Sequence, residues 1–232
     1  MKAQGVPFVS YVFYKVAPEW YHLERVERER TKNHFGRVLT DFERQLFLRA
    51  YSTVGFRAEA DMMVWRAADA LDDLREMTTA LRETALGRYL VEPYSYLSIA
   101  AAGAAPHGTP HGTPHPFADG RADGSQAARY LVLRPVTVTR EWHVAGSDAQ
   151  REVVNEAKAI AAQYPSVRVH ATCALDDHDF ILACEADDLR DVLAFTAALR
   201  RSELGRYTER DTPAFTCVGA SVWEMLDALG RA

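Results

Sequence analysis

Nowhere in this chain do about eighteen uncharged apolar residues stand together, which excludes a membrane-spanning helix of ordinary length. The opening MKAQGVPFVSYVFYKV has one lysine and no apolar core of the kind a secretory signal uses, so the expected location is the cytoplasm. Cysteine is scarce: Cys173, Cys184 and Cys217 are the only three, all in the second half, in apolar strand-like segments without CxxC spacing. The expectation is buried free thiols rather than a disulfide framework. A surplus of positive charge is also missing, with 27 basic against 32 acidic residues and a formal net charge of -5. Nucleic acid is therefore not an expected partner, because the phosphate backbone calls for a basic face. What the 232 residues do have is 48% hydrophobic content, enough to bury a core as two lobes or as one fused unit.

The most informative feature is a repeat. Residues 80 to 89 read ALRETALGRY and residues 198 to 207 read ALRRSELGRY, seven of ten identical after a shift of 118 positions. The same shift carries Asp61 onto Asp179, Asp69 onto Asp187, Leu71 onto Leu189 and Asp73 onto Asp191. The chain reads as a duplicated domain, and positions where the halves differ are where one half can have acquired chemistry. Glu203, opposite Ala85, is such a position.

Periodicity predicts the same element order in each half. In the first, a strand over Phe8 to Val16 precedes a charged helical region within Leu23 to Tyr51. Two strands over Tyr51 to Arg57 and Asp61 to Arg66, a helix over Ala70 to Leu86 ended by Gly87, and a strand over Tyr94 to Ile99 complete it. The second half repeats this with strands Tyr130 to Val138, Val167 to Ala174, Asp179 to Cys184 and Ala214 to Val218, and helices Ser147 to Gln163 and Leu189 to Leu204. Strand, helix, strand, strand, helix, strand is the ferredoxin-like order, so the predicted class is α+β, with units at 1–99 and 129–232. Residues 100–128 form a linker in which His107, His111 and His115 recur every four positions. Pro106, Pro110 and Pro114 precede each histidine and forbid the helix that would align them, so a loop is expected rather than a metal site.

The runs YVFYKVAPEW, LFLRAYSTVGFRAEADMMVW and ALRETALGRYLVEPYSYLS, with Glu141-Trp142, Tyr164 to Val167, Leu175 to Asp177 and ELGRYTERDTPAFTC, resemble the chlorite dismutase superfamily, which includes the coproheme decarboxylases. The resemblance spans nearly the whole chain outside the linker. It implies two ferredoxin-like units forming a dimeric α+β barrel, a homo-oligomer (often a pentameric ring), and heme in the C-terminal unit. Members carry a histidine ligand to iron in the helix before the YPxV strand, and here that helix reads Asn155-Glu156-Ala157-Lys158. Alanine cannot coordinate iron, so no histidine-ligated heme is expected. The resemblance also matches Glu203 to a glutamate that orients the ligand, and Arg140 to a decarboxylase tyrosine before Glu-Trp. Coproheme decarboxylation by the family mechanism is not expected either.

What remains is a polar set in the second unit. Alternation along Val167 to Ala174 puts Arg168, His170 and Thr172 on one face, and Arg134, if inward, adds a second cation. Arg134, Arg140 and Trp142 are the expected substrate contacts, and Arg168, His170 and Glu203 the expected catalytic groups. A non-heme copper or iron held by His170, His143 and Glu203 would supply redox chemistry that these side chains lack. The expected function is then an oxidoreductase acting on a small, anionic organic substrate in a biosynthetic pathway. Two alternatives stay open: a heme enzyme with another iron ligand, and a non-catalytic sensor or ring subunit.

Overall fold

The computed structural model describes residues 7–100 and 128–230. The His-rich linker lies outside them. Among the described residues, one compact unit comprises 7–95 and 217–230, the other 96–100 and 128–216.

In the first unit, β1 (Phe8–Val16) is a β-branched and aromatic run buried along almost its whole length. It pairs antiparallel with β3 (Met62–Ala68), which pairs in turn with β2 (Phe47–Ser52). Residues 218–220 of β9 (Phe215–Ala220) pair with 50–52 of β2. Helix α1 (Arg25–Glu43) turns Thr31, Phe35 and Leu39 inward at four-residue spacing and leaves most of its charges toward solvent, with Lys32 buried against Glu29. Gly36 on the same helix leaves room for the last helix of the chain, α7 (Val222–Asp227): a β-carbon there would stand 2.5 Å from the Trp223 ring. Helix α2 (Leu71–Glu83) buries Leu74, Met77 and Leu81. A short 3-10 turn over Gly87–Tyr89 leads into β4 (Leu90–Ile99).

The second unit repeats this order from β5 (Tyr130–Val138). A short helix α3 (Arg140–Val144) precedes α4 (Ser147–Ala162), then β6 (Arg168–Ala174), β7 (Phe180–Ala186) and α5 (Leu189–Arg200). A second short helix, α6 (Glu203–Tyr207), runs into β8 (Thr208–Arg210) and β9. β7 pairs antiparallel with both β5 and β6, and β8 with β5. The class is α+β with antiparallel pairing throughout the described registers, as expected.

The repeat has a structural meaning. Asp61 N–H donates to the Tyr14 carbonyl and its carboxylate accepts from Val16 N–H; Asp179 N–H donates to Val136 and its carboxylate accepts from Val138 N–H. Each aspartate thus ties off the end of its unit's first strand. The carbonyls of Tyr89 and Tyr207 accept from the N–H of Ala17 and Thr139, the next residue along. Gly87 and Gly205 make this possible, because a β-carbon would lie 2.1 Å from the Leu81 carbonyl oxygen or 2.4 Å from that of Arg200. Trp20 and Trp142, three residues beyond these junctions, are both buried.

Three expected boundaries shift. The helix within Leu23 to Tyr51 stops at Glu43, where Gln45 and Leu46 N–H both close onto the Phe42 carbonyl. Phe47 and Leu48, which with Leu46 continue a helical spacing in sequence, belong to a strand with buried residues on both faces, so β2 begins at Phe47 rather than Tyr51. The helix expected over Leu189 to Leu204 breaks at Arg201 and Ser202, which places Glu203 at the head of α6.

Candidate functional site

The helix-covered face of the second sheet is set by register. Cross-strand partners share a face, so Arg134, Leu182 and Ala171 lie together, as do Val136 and Phe180. With Thr196, Leu199 and Arg200 of α5, Leu204 and Gly205 of α6, and Thr208 and Asp211, these line a half-open cleft with a cavity volume of about 60 Å³. Its walls are apolar and its polar content is one cluster. A single Asp211 oxygen, Oδ2, accepts from Arg134 Nη1 at 3.1 Å and from Arg200 Nε and Nη2 at 3.1 and 2.7 Å. The side chains of Arg134 and Asp211 are 15% and 21% exposed, and that of Arg200 is 58% exposed. Two guanidinium groups against one carboxylate leave the cleft one net positive charge. Arg134 Nε is buried with no hydrogen-bond partner among the described residues. Guanidinium groups in such a setting have the chemistry to pair with a carboxylate or another small anion.

Ala157 is wholly buried among Trp142, Val153, Val154, Phe195, Leu199 and Leu204. The residues do not fit a heme. Among the described residues no histidine, cysteine, methionine or tyrosine lines the cleft, so none of these supplies one of the usual axial donors there. A volume of 60 Å³ corresponds to roughly four to six water-sized spheres, several times too small for a porphyrin.

The expected site residues divide. Arg134 lines the cleft. Arg168 and His170 do not join it: their partners Glu185 and Ala183 alternate with Leu182 along β7, so they face the opposite side of the sheet. There His170 Nε2 lies 3.0 Å and Arg168 Nε 3.7 Å from a Glu185 oxygen, and that glutamate is only 1% exposed. Trp142 is buried and packs edge-to-face on Phe180, which lines the cleft, so it supports the wall instead of touching a ligand. Arg140 is exposed at the start of α3. His143 is half-exposed and meets Asp179 at 3.3 Å. Glu203 is exposed beside Arg206, and its N–H donates to Glu156. The three expected metal ligands therefore hold three different partners, and among the described residues no three His, Cys, Asp or Glu side chains converge as a metal site.

Sequence reading missed Arg200, Asp211 and Glu185. Arg200 and Asp211 carried a signal, since Arg200 is the repeat partner of Arg82 and Asp211 sits in the RDTP run. Glu185, in the apolar run FILACEA, is a charge placed where charge is costly unless paired.

A two-unit α+β chain with a cationic cleft under the helices of its second sheet is the class this geometry defines. The family model described as chlorite dismutase matches residues 28–220, and the chain belongs to that family. It is 30% identical over 182 residues to the coproheme decarboxylase of Mycolicibacterium smegmatis, covering 77% of this chain and 75% of that one. The chlorite dismutase of Candidatus Nitrospira defluvii, solved in complex with imidazole, shares the fold with a TM-score of 0.83 at 19% identity, covering 97% of this chain and 95% of that one. An arginine-to-alanine mutant of that protein superimposes with a TM-score of 0.84 at the same identity and coverage. No helix among the described residues is long and apolar enough to cross a membrane.

Proposed function

We propose that this chain is a chlorite dismutase-family protein that binds a small organic anion in the cleft of its C-terminal unit and works without a histidine-ligated porphyrin. The observation that carries this is the Arg134, Asp211 and Arg200 cluster at an apolar cavity of about 60 Å³. Asp211 holds both guanidinium groups in place and neutralises one of them, leaving the other charge for the ligand. The volume suits a carboxylate of about four to six heavy atoms, with its chain against Phe180, Leu182 and Leu199. An oxidation driven by copper or iron at His170, His143 and Glu203 finds no support in the geometry, because each would have to leave its present partner. We read the two units as duplicated ferredoxin-like modules of a dimeric α+β barrel, a reading supported by the recurring aspartate and glycine-tyrosine contacts. Assembly into a homo-oligomeric ring, as the resemblance implies, is part of the same proposal.

The test is a calorimetric titration of the full chain with butyrate and with butyramide, its neutral counterpart. Butyrate is expected to bind at least tenfold more tightly, and Arg134→Leu to abolish the difference. Equal affinity for both would overturn the anion reading. A stoichiometric complex with hemin showing a ligated Soret band would overturn the porphyrin-free one.

A further inference from the structure

A second cleft occupies the corresponding place in the N-terminal unit. The 118-residue shift carries Leu81, Arg82 and Gly87 onto Leu199, Arg200 and Gly205, and each trio lines its unit's cavity. The ion pair recurs as well: Arg82 Nε donates to Glu92 at 3.1 Å with Nη2 3.0 Å from the same oxygen, where Arg200 pairs with Asp211. The contents differ. The N-terminal cavity is the larger, about 250 Å³ against 60 Å³. Trp20 and Trp142 relate the first strands and first helices of the two units by a shift of 122, which carries Tyr14 onto Val136 and Phe35 onto Ala157.

Tyr14 is the informative residue. It lines the cavity with its side chain 3% exposed, and its ring meets Phe35 edge-to-face at 6.3 Å. Its hydroxyl makes no hydrogen bond to any described residue. That oxygen is not sealed from solvent, so a ligand entering the cavity would replace water as its hydrogen-bond acceptor. Burial pushes the phenol up to about 12, so it remains an O–H donor at neutral pH. Arg82 and Glu92 cancel each other, so these lining side chains carry no net charge; the buried Arg66 guanidinium also acts on Tyr14, but it does not line the cavity and its Nε and Nη1 are turned to Ser10 Oγ and the Leu74 carbonyl. Phe35, Leu81 and Leu90 supply apolar wall.

We infer that the N-terminal cleft is a second binding site, for an uncharged organic molecule that accepts a hydrogen bond from Tyr14 and lays an aromatic or aliphatic body against Phe35, Leu81 and Leu90. An aryl amide or ketone has this chemistry. The inference is independent of the anion site, because no residue is shared.

The experiment titrates benzamide into the full chain carrying labelled leucine methyls. Leu81 and Leu90 report the N-terminal cleft, Leu199 and Leu204 the C-terminal one. The expected result is a saturable shift of Leu81 and Leu90 with the other pair unmoved. Tyr14→Phe, which removes one oxygen, should weaken the affinity about three- to tenfold, the worth of one net hydrogen bond. Benzoate should move Leu81 and Leu90 far less than benzamide does. Silence of Leu81 and Leu90 up to the solubility of benzamide, unchanged affinity in Tyr14→Phe, or benzoate binding there as well as benzamide would each overturn the inference. If Tyr14→Phe does not fold, Leu90→Trp, from a partly exposed position, must abolish the response by filling the cavity.

Discussion

Replacing Asp211 by asparagine should destabilise the chain and tighten its grip on anions at the same time. The substitution keeps the shape and removes the charge that both Arg134 and Arg200 share at Oδ2. Breaking a fully buried ion pair costs about 3–5 kcal/mol, whereas an exposed pair contributes under about 1 kcal/mol. Arg200 is more than half exposed and falls near the lower figure; Arg134 is largely buried and falls between the two. A total of about 2 kcal/mol follows, which for a chain of this length lowers Tm by about 4–8 °C. The cleft meanwhile goes from one net positive charge to two, and butyrate should bind about tenfold more tightly. A ligand held at a hundred times its Kd returns about 2.7 kcal/mol, so saturating butyrate should close the Tm gap while butyramide leaves it open. Differential scanning calorimetry with each ligand decides the matter. An unchanged Tm, or weaker butyrate binding in Asp211→Asn, would refute the assignment of this cluster as an anion site.

Ala157→His should not restore porphyrin binding: an imidazole in that fully packed position overfills the core, costs about 1–3 kcal/mol, and should give no stoichiometric Soret band on hemin titration. Gly87→Ala and Gly205→Ala should each destabilise the chain by about 1–3 kcal/mol, read as a lower urea midpoint, since the added methyl meets a backbone carbonyl that cannot rotate away. The thiols should separate by accessibility. Burial pushes Cys184 up to about 12 and Cys217 up further, while half-buried Cys173 rises less, so iodoacetamide at pH 8 should label one thiol slowly in the native chain and three after denaturation, read by intact mass.

The strands Phe8–Val16 and Tyr130–Val138 were legible to the residue, because long β-branched and aromatic runs leave no competing helical period. The helix starts at Leu189 and Ser147 were legible from their flanking polar residues. Short helices were not. Arg140–Val144 and Val222–Asp227 are too brief for periodicity to register, although Ser221 and Glu224 form a capping box that could have marked the latter. The site was half legible. Arg134 could be placed on a strand but not on a face, because the parity that separates it from Arg168 and His170 depends on cross-strand register, and one residue of slip reverses it. Asp211 stands out in sequence only through the RDTP run, and its partner was not legible because the pair spans 77 residues.

The glycine pressed against a helix-end carbonyl in each unit, Leu81 in one and Arg200 in the other, has a consequence for reading other chains of this kind. What both copies have kept is the absence of an atom, a place where two stretches of main chain touch, while the ring at position 35 and the methyl at 157 were free to diverge. Leu-Gly-Arg-Tyr is therefore a mark of architecture, and chains gathered by it will share a scaffold and disagree about what they hold.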